Sequence, residues 1–326
     1  MEVDSQACSL AIAVSDLAHV DAARRAVVRQ ASLLSRDEEL LGRLTLVVQE
    51  LGRNLVLHGG HGQLVYRQAS HGLRLLAIDS GAGMANVSQC LTDHYSSIGT
   101  MGVGLGSVRR LADHFDIFSQ PDQGTVVFAG FDLQPGPADL SHGAVCLPYP
   151  GETVAGDAWA VKGRRLMICD GLGHGHAANA ASARARDVFM GHDPAHPLEQ
   201  LMGHLHTALM PTRGGAVGIA EIKPEARQVL YCGMGNIAGL ILGEKNRAMM
   251  SANGTVGYRM GRTHTFSYPW DRGNVLILTS DGIKTRLDTH HYPGLATRHP
   301  EVIAGLLSRD FRRHNDDSTV LVARID

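Results

Sequence analysis

The sequence predicts a mixed α/β (α+β) fold in two domains, an α/β sandwich followed by an α/β/β/α sandwich. Residues 10–132 alternate amphipathic helices with hairpins, whereas residues 144–326 are mainly short apolar strands with a helix pair inserted between them. Between these regions, residues 133–143 (LQPGPADLSHG) carry two prolines and two glycines without periodicity. A chain of 326 residues can bury two cores of ordinary size. We therefore expect domains at residues 1–132 and 144–326, joined by a linker at 133–143.

The composition excludes several classes of protein. A formal net charge of −2 provides no general attraction to nucleic acid or to anionic membranes. The sequence has no apolar run of about 18 residues, and the acidic start MEVDSQACSL lacks the basic segment of a signal peptide. The five cysteines are odd in number and widely spaced, which argues against a disulfide framework and a cysteine-based zinc site. We therefore expect a cytoplasmic protein that binds neither nucleic acid nor a membrane.

The first half contains helices and hairpins with recognisable ends. Apolar residues recur at helical spacing in two segments, and Asp37 is placed to cap the second one, which should stop at Gly59-Gly60. Strand-like segments alternate or run apolar around short polar turns. In chain order the predicted elements are an edge strand at Leu10–Val14, helices at Val20–Leu34 and Glu38–His58, a hairpin of Gln63–Ala69 and Leu73–Ile78, a helix after Gly106, and a hairpin of Phe115–Ser119 and Thr125–Phe131.

Three polar side chains share one stripe of the second helix. Glu50, Asn54 and His58 are spaced four residues apart, and each step of four turns the helix only about 40° beyond a full turn. The spacing alone leaves two interpretations. The stripe is either a solvated polar face, or Glu50 and Asn54 hold a magnesium ion and an activated water or hydroxyl group.

Two glycine motifs follow in the same half. Asp79–Gly83 (DSGAG) ends the second strand of the first hairpin, and an acid there can bind the amino group of a base; aspartate and glycine are also common turn formers. Gly102–Gly106 (GVGLG) precedes an apolar helical pattern, where free backbone N–H groups and the helix dipole favour phosphate. Neither motif has the sequence context of a dinucleotide-binding fingerprint or of a Walker A loop.

The ordered set ELGRN, DSGAG, GVGLG and GT resembles the N box and the glycine boxes of the GHKL ATP-binding fold. Within that fold it looks most like the small serine kinases of bacterial partner-switching systems, the anti-sigma factor kinase and RsbT-like group. The resemblance covers about residues 10–132 and implies ATP and Mg²⁺ as cofactors. By that resemblance Glu50 would be the general base and a catalytic residue, Asn54 would bind magnesium, and Asp79 would bind the adenine amino group. The other nucleotide-binding residues that it implies are Gly81, Gly83, Gly102, Gly104, Gly106 and Thr125. Related kinases often dimerise, so the resemblance also makes a homodimer of this chain one possible state.

The second half is dominated by strands. Most of them are short and apolar, and an alanine-rich helix and a second helix interrupt them. In chain order the predicted elements are strands at Ala144–Leu147, Trp159–Val161 and Arg165–Cys169, helices at Ala177–Met190 and Leu198–Met210, strands at Ala216–Ile222, Gln228–Cys232, Ile237–Leu242 and Val275–Ser280, a helix at Glu301–Leu307 and a strand at Thr319–Ile325.

Four acids of this half are far apart in sequence, yet each lies beside a glycine or at a strand end. They are Asp157, Asp170, Asp281 and Asp316. Hard cations such as Mg²⁺ and Mn²⁺ prefer carboxylate, carbonyl and water oxygens. Two such ions about 4 Å apart can bind a bridging water, lower its pKa and present it in line to a phosphorus atom. For any single acid the alternative is an ordinary Asp-Gly turn.

The set GD, DGLGHG, SDG and DD-x-TV resembles the metal-dependent PPM-type serine/threonine phosphatases, most closely their SpoIIE and RsbX branch. The resemblance covers about residues 144–326 and implies two Mn²⁺ or Mg²⁺ ions. By that resemblance Asp170 would be catalytic and bridge the two metals, and the Gly171 carbonyl would bind one of them. Asp281 and Asp316 would bind the other metal, and Asp157 would reach the site directly or through water.

Three neighbouring residues are weaker candidates. Asp317 is less expected as a ligand than Asp316, because the ligand in the family is the first residue of a D-x-x-[ST]-V pattern. His174 and His176 in the DGLGHG segment either contact a substrate phosphate or, as we expect, merely cap the helix that follows.

Together the two resemblances imply a bifunctional switch protein. One domain would phosphorylate a serine or threonine of a STAS-domain antagonist or scaffold protein, and the other would remove the phosphate, thereby controlling a sigma factor or another output such as a stress response. An alternative treats the first domain as a regulatory module that binds ATP or a partner without transferring phosphate. A remoter alternative is a phosphatase for a small-molecule phosphate.

Overall fold

The computed structural model of the chain describes residues 8–91, 104–134 and 140–325. The described residues form two compact units, one of residues 9–134 and one of residues 140–325 together with Cys8. Both units combine helices with antiparallel sheets, so the predicted mixed α/β fold class is confirmed.

The first unit is a five-stranded sheet with helices on one face. Its elements are β1 (Leu10–Val14), α1 (Leu17–Ser32), α2 (Glu38–Leu57), β2 (Gly62–Ala69), β3 (Gly72–Asp79), α3 (Val87–Cys90), α4 (Gly104–Leu111), β4 (His114–Ser119) and β5 (Thr125–Asp132). The strand order is β1-β2-β3-β5-β4. Each neighbouring pair is antiparallel. Because β1 stands at one end of this order, it is an edge strand, as the sequence predicts.

The helix α2 is the central element of this unit. Asp37 caps its first turn, because Oδ1 accepts hydrogen bonds from the backbone N–H groups of Glu39 (3.0 Å) and Leu40 (3.3 Å). Its apolar face, which includes Leu44 and Leu51, is fully buried in the core between helices and sheet. Burial of each leucine side chain contributes roughly 1.5–3 kcal/mol. The opposite edge of α2 carries Glu50 and Asn54.

The second unit contains two five-stranded sheets. Its elements are β6 (Ser141–Leu147), β7 (Asp157–Lys162), β8 (Arg165–Gly171), α5 (Gly175–Gly191), α6 (Leu198–Leu209), β9 (Gly215–Lys223), β10 (Gln228–Met234), β11 (Ala238–Leu242), β12 (Arg247–Met249), β13 (Phe266–Pro269), β14 (Val275–Thr279), α7 (Pro300–Phe311) and β15 (Ser318–Arg324). The sheets have the orders β13-β10-β9-β8-β7 and β12-β11-β14-β15-β6.

The two sheets and three helices form four layers. Helix α5 packs on β7 and β8, and α7 packs on β6 and β15. Trp159 and Ile168 of one sheet meet Leu278 and Leu321 of the other in a shared core. A second core lies between α5, α6 and the β9–β10 face. The predicted α/β/β/α sandwich is therefore confirmed.

Several details differ from the sequence predictions, among them the four-residue helix α3, which was not predicted, and α1, which begins at Leu17 and ends at Ser32. The strands β12 and β13, with three and four residues, were not predicted because segments so short contain too few residues to show a periodicity. The strand β6 begins at Ser141, so residues 141–143 of the predicted linker pair with β15. Gly143 allows close packing of β6 on α7, because a Cβ atom there would clash with the Glu301 backbone nitrogen.

None of the helices in the described part of the chain combines the length and the apolar character that a membrane span requires.

Candidate active sites

The structure brings the predicted acids of the second unit to one end of the two sheets. Asp157 begins β7 and lies directly opposite Asp170 near the end of β8. Asp281 follows β14 and Asp316 precedes β15. These two strands are antiparallel neighbours. Asp170, Asp281 and Asp316 line one cleft with a volume of about 490 Å³. The pairing of the strands thus brings together side chains that are far apart in the sequence, such as Asp170 and Asp316.

Asp157 is the most deeply buried of these acids, with 1% of its surface exposed. Its Oδ2 atom accepts a hydrogen bond of 2.7 Å from the Ser280 hydroxyl, and Ser280 Oγ in turn accepts one of 2.9 Å from the Thr319 backbone N–H. The Oδ1 atom is buried and has no hydrogen-bond partner among the described residues. Burial raises the pKa of Asp157 to about 7, although the Ser280 hydrogen bond counteracts this effect.

Asp170 carries the largest charge conflict in the cleft. Burial raises its pKa to about 9, and the carboxylates of Asp157, Asp281 and Asp316 add to that rise. A side-chain hydrogen bond joins Asp170 to Asp281, and Asn236 Nδ2 donates to Asp281 Oδ2 over 2.6 Å. Without a metal ion these acids must share protons, because their negative charges repel one another. A divalent cation bound among them would remove that repulsion.

The donor chemistry of this cleft fits Mg²⁺ or Mn²⁺. The cleft is lined by the carboxylate oxygens of Asp170, Asp281 and Asp316, which these ions prefer, and the buried Asp157 lies beside Asp170. Within residues 8–91, 104–134 and 140–325, however, no three carboxylate, imidazole or thiol groups form a finished metal cage. Waters and backbone carbonyls, such as that of Gly171, would have to supply the remaining ligands. The specific ligand roles therefore remain predictions.

The second member of the final acid pair has a structural role. Asp317 is 3% exposed and its Oδ1 atom accepts a hydrogen bond of 2.8 Å from the Tyr149 backbone N–H. Burial raises its pKa, while backbone hydrogen bonds lower it. Asp316, in contrast, lines the cleft. This division agrees with the preference for Asp316 as the candidate ligand.

The expectation that His174 caps a helix is wrong. His174 occupies the N-cap position of α5, but its side chain makes no capping hydrogen bond. Its Nδ1 atom instead lies 2.8 Å from Glu152 Oε1, and its ring stacks on Tyr149 with ring centroids 4.5 Å apart. His174 and Tyr149 both line the cleft. His176 is exposed on the first turn of α5.

In the first unit, the α2 stripe is more than a solvated face. Glu50 is half-buried, and burial raises its pKa while Arg53 counteracts the rise. The Nδ2 atom of Asn54 is buried and has no hydrogen-bond partner among the described residues. His58, at the C-cap of the helix, is exposed. An unpartnered amide beside a half-buried carboxylate is an arrangement that a polar ligand can complete.

The DSGAG segment lies against the end of the same helix. Asp79 Oδ1 accepts hydrogen bonds from the backbone N–H groups of Gly81 (2.8 Å) and Thr125 (3.2 Å). A Cβ atom on Gly81 would lie 2.6 Å from the His58 carbonyl oxygen, so only glycine allows this approach. Gly83 has a φ of +63° and lies against the Gln120 carbonyl. Asp79 is thereby fixed between β3 and β5.

The second glycine motif is only partly described. Gly104 and Gly106 lie in the first turn of α4, as the glycine-rich start of a helix predicts, whereas Gly102 lies outside the described residues. Thr125 at the start of β5 is buried, and its hydroxyl lies 2.9 Å from that of Ser119. The structure thus places Glu50, Asn54, Asp79 and Thr125 without describing the loop that would complete a phosphate site.

Comparison with known proteins separates the same two regions. The family profile of stage II sporulation protein E (SpoIIE) matches residues 161–326, just over half of the chain. The chain belongs to the SpoIIE family. The profile of the histidine kinase-like ATPase domain matches residues 13–130. This SpoIIE family member therefore carries an ATPase-type domain before its phosphatase-type domain, which is the fused architecture that the two resemblances imply.

Individual relatives follow the same division. The serine/threonine-protein kinase RsbT of Bacillus subtilis (strain 168) is 35% identical over 91 residues, which cover 27% of this chain and 68% of RsbT. The phosphoserine phosphatase RsbX of the same organism is 27% identical over 185 residues, which cover 54% of this chain and 89% of RsbX. A solved structure from work on the bacterial stressosome as a modular signalling system has a TM-score of 0.52 and 24% identity, and covers 57% of this chain and 99% of its own. That last similarity supports the fold alone.

The sequence did not identify several residues around the SpoIIE-type cleft. Asn236 holds Asp281, Ser280 holds Asp157, and Glu152 holds His174. Ser280 could have been suspected, because it immediately precedes Asp281 in the SDG motif. Asn236 and Glu152 lie in turns that carry no motif, so only the tertiary structure associates them with the site.

Proposed function

We propose that this SpoIIE family member is a bifunctional partner-switching regulator. Its second unit removes phosphate from a serine or threonine of a STAS-domain antagonist or scaffold protein, and its first unit transfers phosphate from ATP to the same class of partner. The observation that carries the proposal is the convergence of Asp170, Asp281 and Asp316 in one cleft, above the buried Asp157. Similarity to a kinase and to a phosphoserine phosphatase on one chain supports the two-way activity.

In the phosphatase unit the acids would hold two Mn²⁺ or Mg²⁺ ions. Asp170 would contact both ions, the Gly171 carbonyl one of them, and Asp281 and Asp316 the other; Asp157 would act directly or through water. When bound, such ions supply a water of lowered pKa and stabilise charge on the phosphoryl oxygens. Asn236 keeps the Asp281 carboxylate oriented through its 2.6 Å hydrogen bond. A phosphorylated side chain would enter the cleft, and no nucleophile from the protein would be needed.

In the kinase unit the half-buried Glu50 would act as general base on the partner hydroxyl. Its raised pKa brings the carboxylate closer to the working pH, which improves a general base. Asn54, with its unpartnered Nδ2, lies one helical turn further along α2 and would bind Mg²⁺ through its amide oxygen. Asp79 would bind the adenine amino group and Thr125 the nucleotide, and the nucleotide loops would be shaped by Gly81, Gly83, Gly102, Gly104 and Gly106.

Opposed activities on one chain would consume ATP without a net result unless something biases them. The regulatory consequence is that the phosphorylation level of one partner is set by the relative rates of the two units. That level would control the release of a sigma factor or of another output protein.

The test uses four chains, namely wild type, Asp170→Asn, Asp170→Asn with Glu50→Ala, and Asp170→Asn with His58→Ala as the matched control on the same stripe. Each chain is incubated with Mg²⁺, labelled ATP and a candidate STAS-domain protein. We expect label to accumulate on the partner with Asp170→Asn and with the His58 control, and to be absent with Glu50→Ala. If Asp170→Asn binds ATP but leaves the partner unlabelled, the first unit is a binding module and the kinase proposal is wrong.

The phosphatase arm is measured separately. The prephosphorylated STAS protein is incubated with each chain and Mn²⁺, and phosphate release is followed. We expect release by wild type and by a fifth chain that carries Glu50→Ala alone, and none by the three chains that carry Asp170→Asn. Release by Asp170→Asn at the wild-type rate would contradict the assignment of the cleft.

A further inference from the structure

Two short backbone segments, residues 282–284 and 311–313, pair beside the carboxylate cleft. An antiparallel bridge joins their central residues. Backbone N–H groups donate to carbonyls across the pair on both sides of the bridge, over 2.8 Å and 2.7 Å. Asp281 immediately precedes the first segment and Asp316 follows shortly after the second, and both acids line the cleft. The paired segments therefore form part of the cleft rim.

The pairing decides which side chains face solvent. Successive side chains of an extended segment point to opposite faces. Ile283 is 1% exposed, and Arg312 opposite it is partly buried and donates from Nη2 to the Pro148 carbonyl over 2.8 Å. Lys284 and Arg313 follow these two residues on the other face, and both are exposed. Two cations thus lie on the same exposed side of the rim.

Basic side chains collect along this exposed side. They are Lys284, Arg286, Arg313 and His314, which we call the basic rim. All four are exposed, and none of their side chains has a hydrogen-bond or ion-pair partner within the described residues. Arginines at other positions of the unit do have one, such as Arg309 with Asp310 over 2.7 Å. Because the whole chain has a formal charge of −2, the unpaired positive charge is a local feature of this rim.

We infer that the basic rim binds acidic residues next to the phosphorylated serine or threonine of the partner protein. The inference rests on the proposed phosphatase function, because it names the kind of sequence that the same cleft would receive. A phosphorylated side chain in the cleft brings its flanking residues across the rim. Lysine and arginine there attract carboxylates, and such attraction raises association rates by about 10- to 1000-fold in strongly charged cases.

Two considerations favour an acidic polypeptide over nucleic acid. The cleft carboxylates, among them Asp281 and Asp316, repel an acidic segment, and the cations of the rim offset that repulsion. Proteins that bind DNA through its backbone contact on the order of 6–10 phosphates. The basic rim offers two arginines, one lysine and one histidine, which match a short acidic segment.

The test uses the full chain with saturating Mn²⁺ at low ionic strength and four substrates. Three are phosphoserine peptides of equal length, in which the residues flanking the phosphoserine are glutamate, glutamine or lysine. The fourth is p-nitrophenyl phosphate, which is too small to reach from the cleft to the rim. We expect wild type to prefer the glutamate peptide to the glutamine peptide by about tenfold in kcat/KM, mainly through KM. Added salt should reduce this preference, because it screens exposed charges.

A double charge reversal tests the rim directly. Lys284→Glu with Arg313→Glu should abolish the preference for the glutamate peptide and make the lysine peptide the better substrate. Its kcat/KM for p-nitrophenyl phosphate should stay within about twofold of wild type, since neither residue lines the cleft. The matched control is Lys245→Glu with Arg272→Glu. These two exposed cations lie near the Val275 end of β14, opposite to the end that leads to Asp281, so the control should keep the wild-type preference.

The other outcomes are decided in advance. A wild-type chain without a preference for the glutamate peptide, or a rim variant that keeps it, overturns the inference. Equal losses of the rim variant on all substrates would mean that the rim only supports the cleft, and would overturn it too. So would a labelled oligonucleotide that binds wild type but not the rim variant, if no peptide preference accompanies it.

Two further results are distinguished from these. If the rim variant loses its cooperative unfolding transition, Lys284→Gln with Arg313→Gln is assayed in its place, and the glutamate preference should disappear without reversing. Wild-type chain with Mn²⁺ that hydrolyses neither p-nitrophenyl phosphate nor any peptide would instead contradict the proposed phosphatase function.

Discussion

The carboxylate cleft of the second unit and the proposed nucleotide site of the first unit both place an aspartate at a strand end, but their charge balance differs. Asp79 accepts two backbone hydrogen bonds. Asp170 is surrounded by three other acids that raise its pKa. Backbone donors thus stabilise the carboxylate of Asp79, whereas neighbouring carboxylates destabilise the charged form of Asp170. Divalent cations should therefore matter for the folding of the second unit as well as for its chemistry.

The largest expected effect follows from removing the central charge of the cleft. Asp170→Asn should lower kcat/KM for a phosphoserine substrate by on the order of 1000-fold, because several kcal/mol of transition-state stabilisation would be lost. Kinase activity, measured as the initial rate of partner labelling, should change by less than about twofold. A comparable loss in both assays would mean that the two sites are not independent.

A residue behind the ligands should have a smaller effect. Asn236→Ala removes the 2.6 Å hydrogen bond to Asp281 Oδ2, and loss of such a supporting contact typically weakens metal binding about 10–100-fold. Mn²⁺ affinity is measured by calorimetric titration. Asn253→Ala is the matched control, since Asn253 lines the cleft without a described bond to an acid. An unchanged affinity for the Asn236 variant would remove Asp281 from the ligand set.

The charge conflict predicts an unusual pH dependence when metal is absent. The pKa of Asp157 is raised to about 7 and that of Asp170 to about 9, from an ordinary value of 3.8. The folded state therefore retains protons that the unfolded chain releases. The stabilisation is complete below about pH 4 and is lost as the pH rises through 7 and 9.

The measurement is urea unfolding in EDTA between pH 5.5 and 8.5. Both tryptophans, Trp159 and Trp270, lie in the second unit, so their fluorescence reports on that unit alone. We expect the free energy of unfolding to fall by about 1 kcal/mol or more over this range, and by less in Asp170→Asn. Saturating Mn²⁺ should abolish the fall. A free energy that rises with pH in EDTA would contradict the crowding of these carboxylates.

The two sites also differ in how much the sequence could predict. Asp157, Asp170, Asp281 and Asp316 each lie at or close to the end of a strand with a clear apolar pattern, so motif and periodicity make them candidates. Their convergence depends on strand register, which places Asp157 opposite Asp170 and joins β14 to β15. The short turn sets the register of the β7–β8 hairpin, whereas β14 and β15 are far apart in the sequence, so no local pattern predicts that they pair.

The supporting contacts were beyond prediction for a physical reason. Asn236 reaches Asp281 across 45 positions, and Ser280 reaches Asp157 across 123. A turn residue such as Glu152 can serve many roles, and only its contact with His174 selects one. The helix α2, by contrast, was predicted almost to the residue, because its cap and its apolar face are local features of the sequence.

The smallest expected effect tests that local feature in the first unit. Asp37 Oδ1 accepts two backbone hydrogen bonds at the start of α2, the helix that carries Glu50 and Asn54. Asp37→Ala should destabilise the first unit by about 1 kcal/mol. Asp21→Ala, which removes only a surface ion pair of 3.5 Å with Arg24, should cost less than about 0.5 kcal/mol. Unfolding is followed by circular dichroism, and the transition of the first unit is the one without a change in tryptophan fluorescence. Because the cap lies in the first unit, Asp37→Ala should leave the fluorescence transition unchanged. If Asp37→Ala shifted the fluorescence transition as much as the circular dichroism transition, the two units would unfold together. The contrast between their sites would then have to be measured by activity alone.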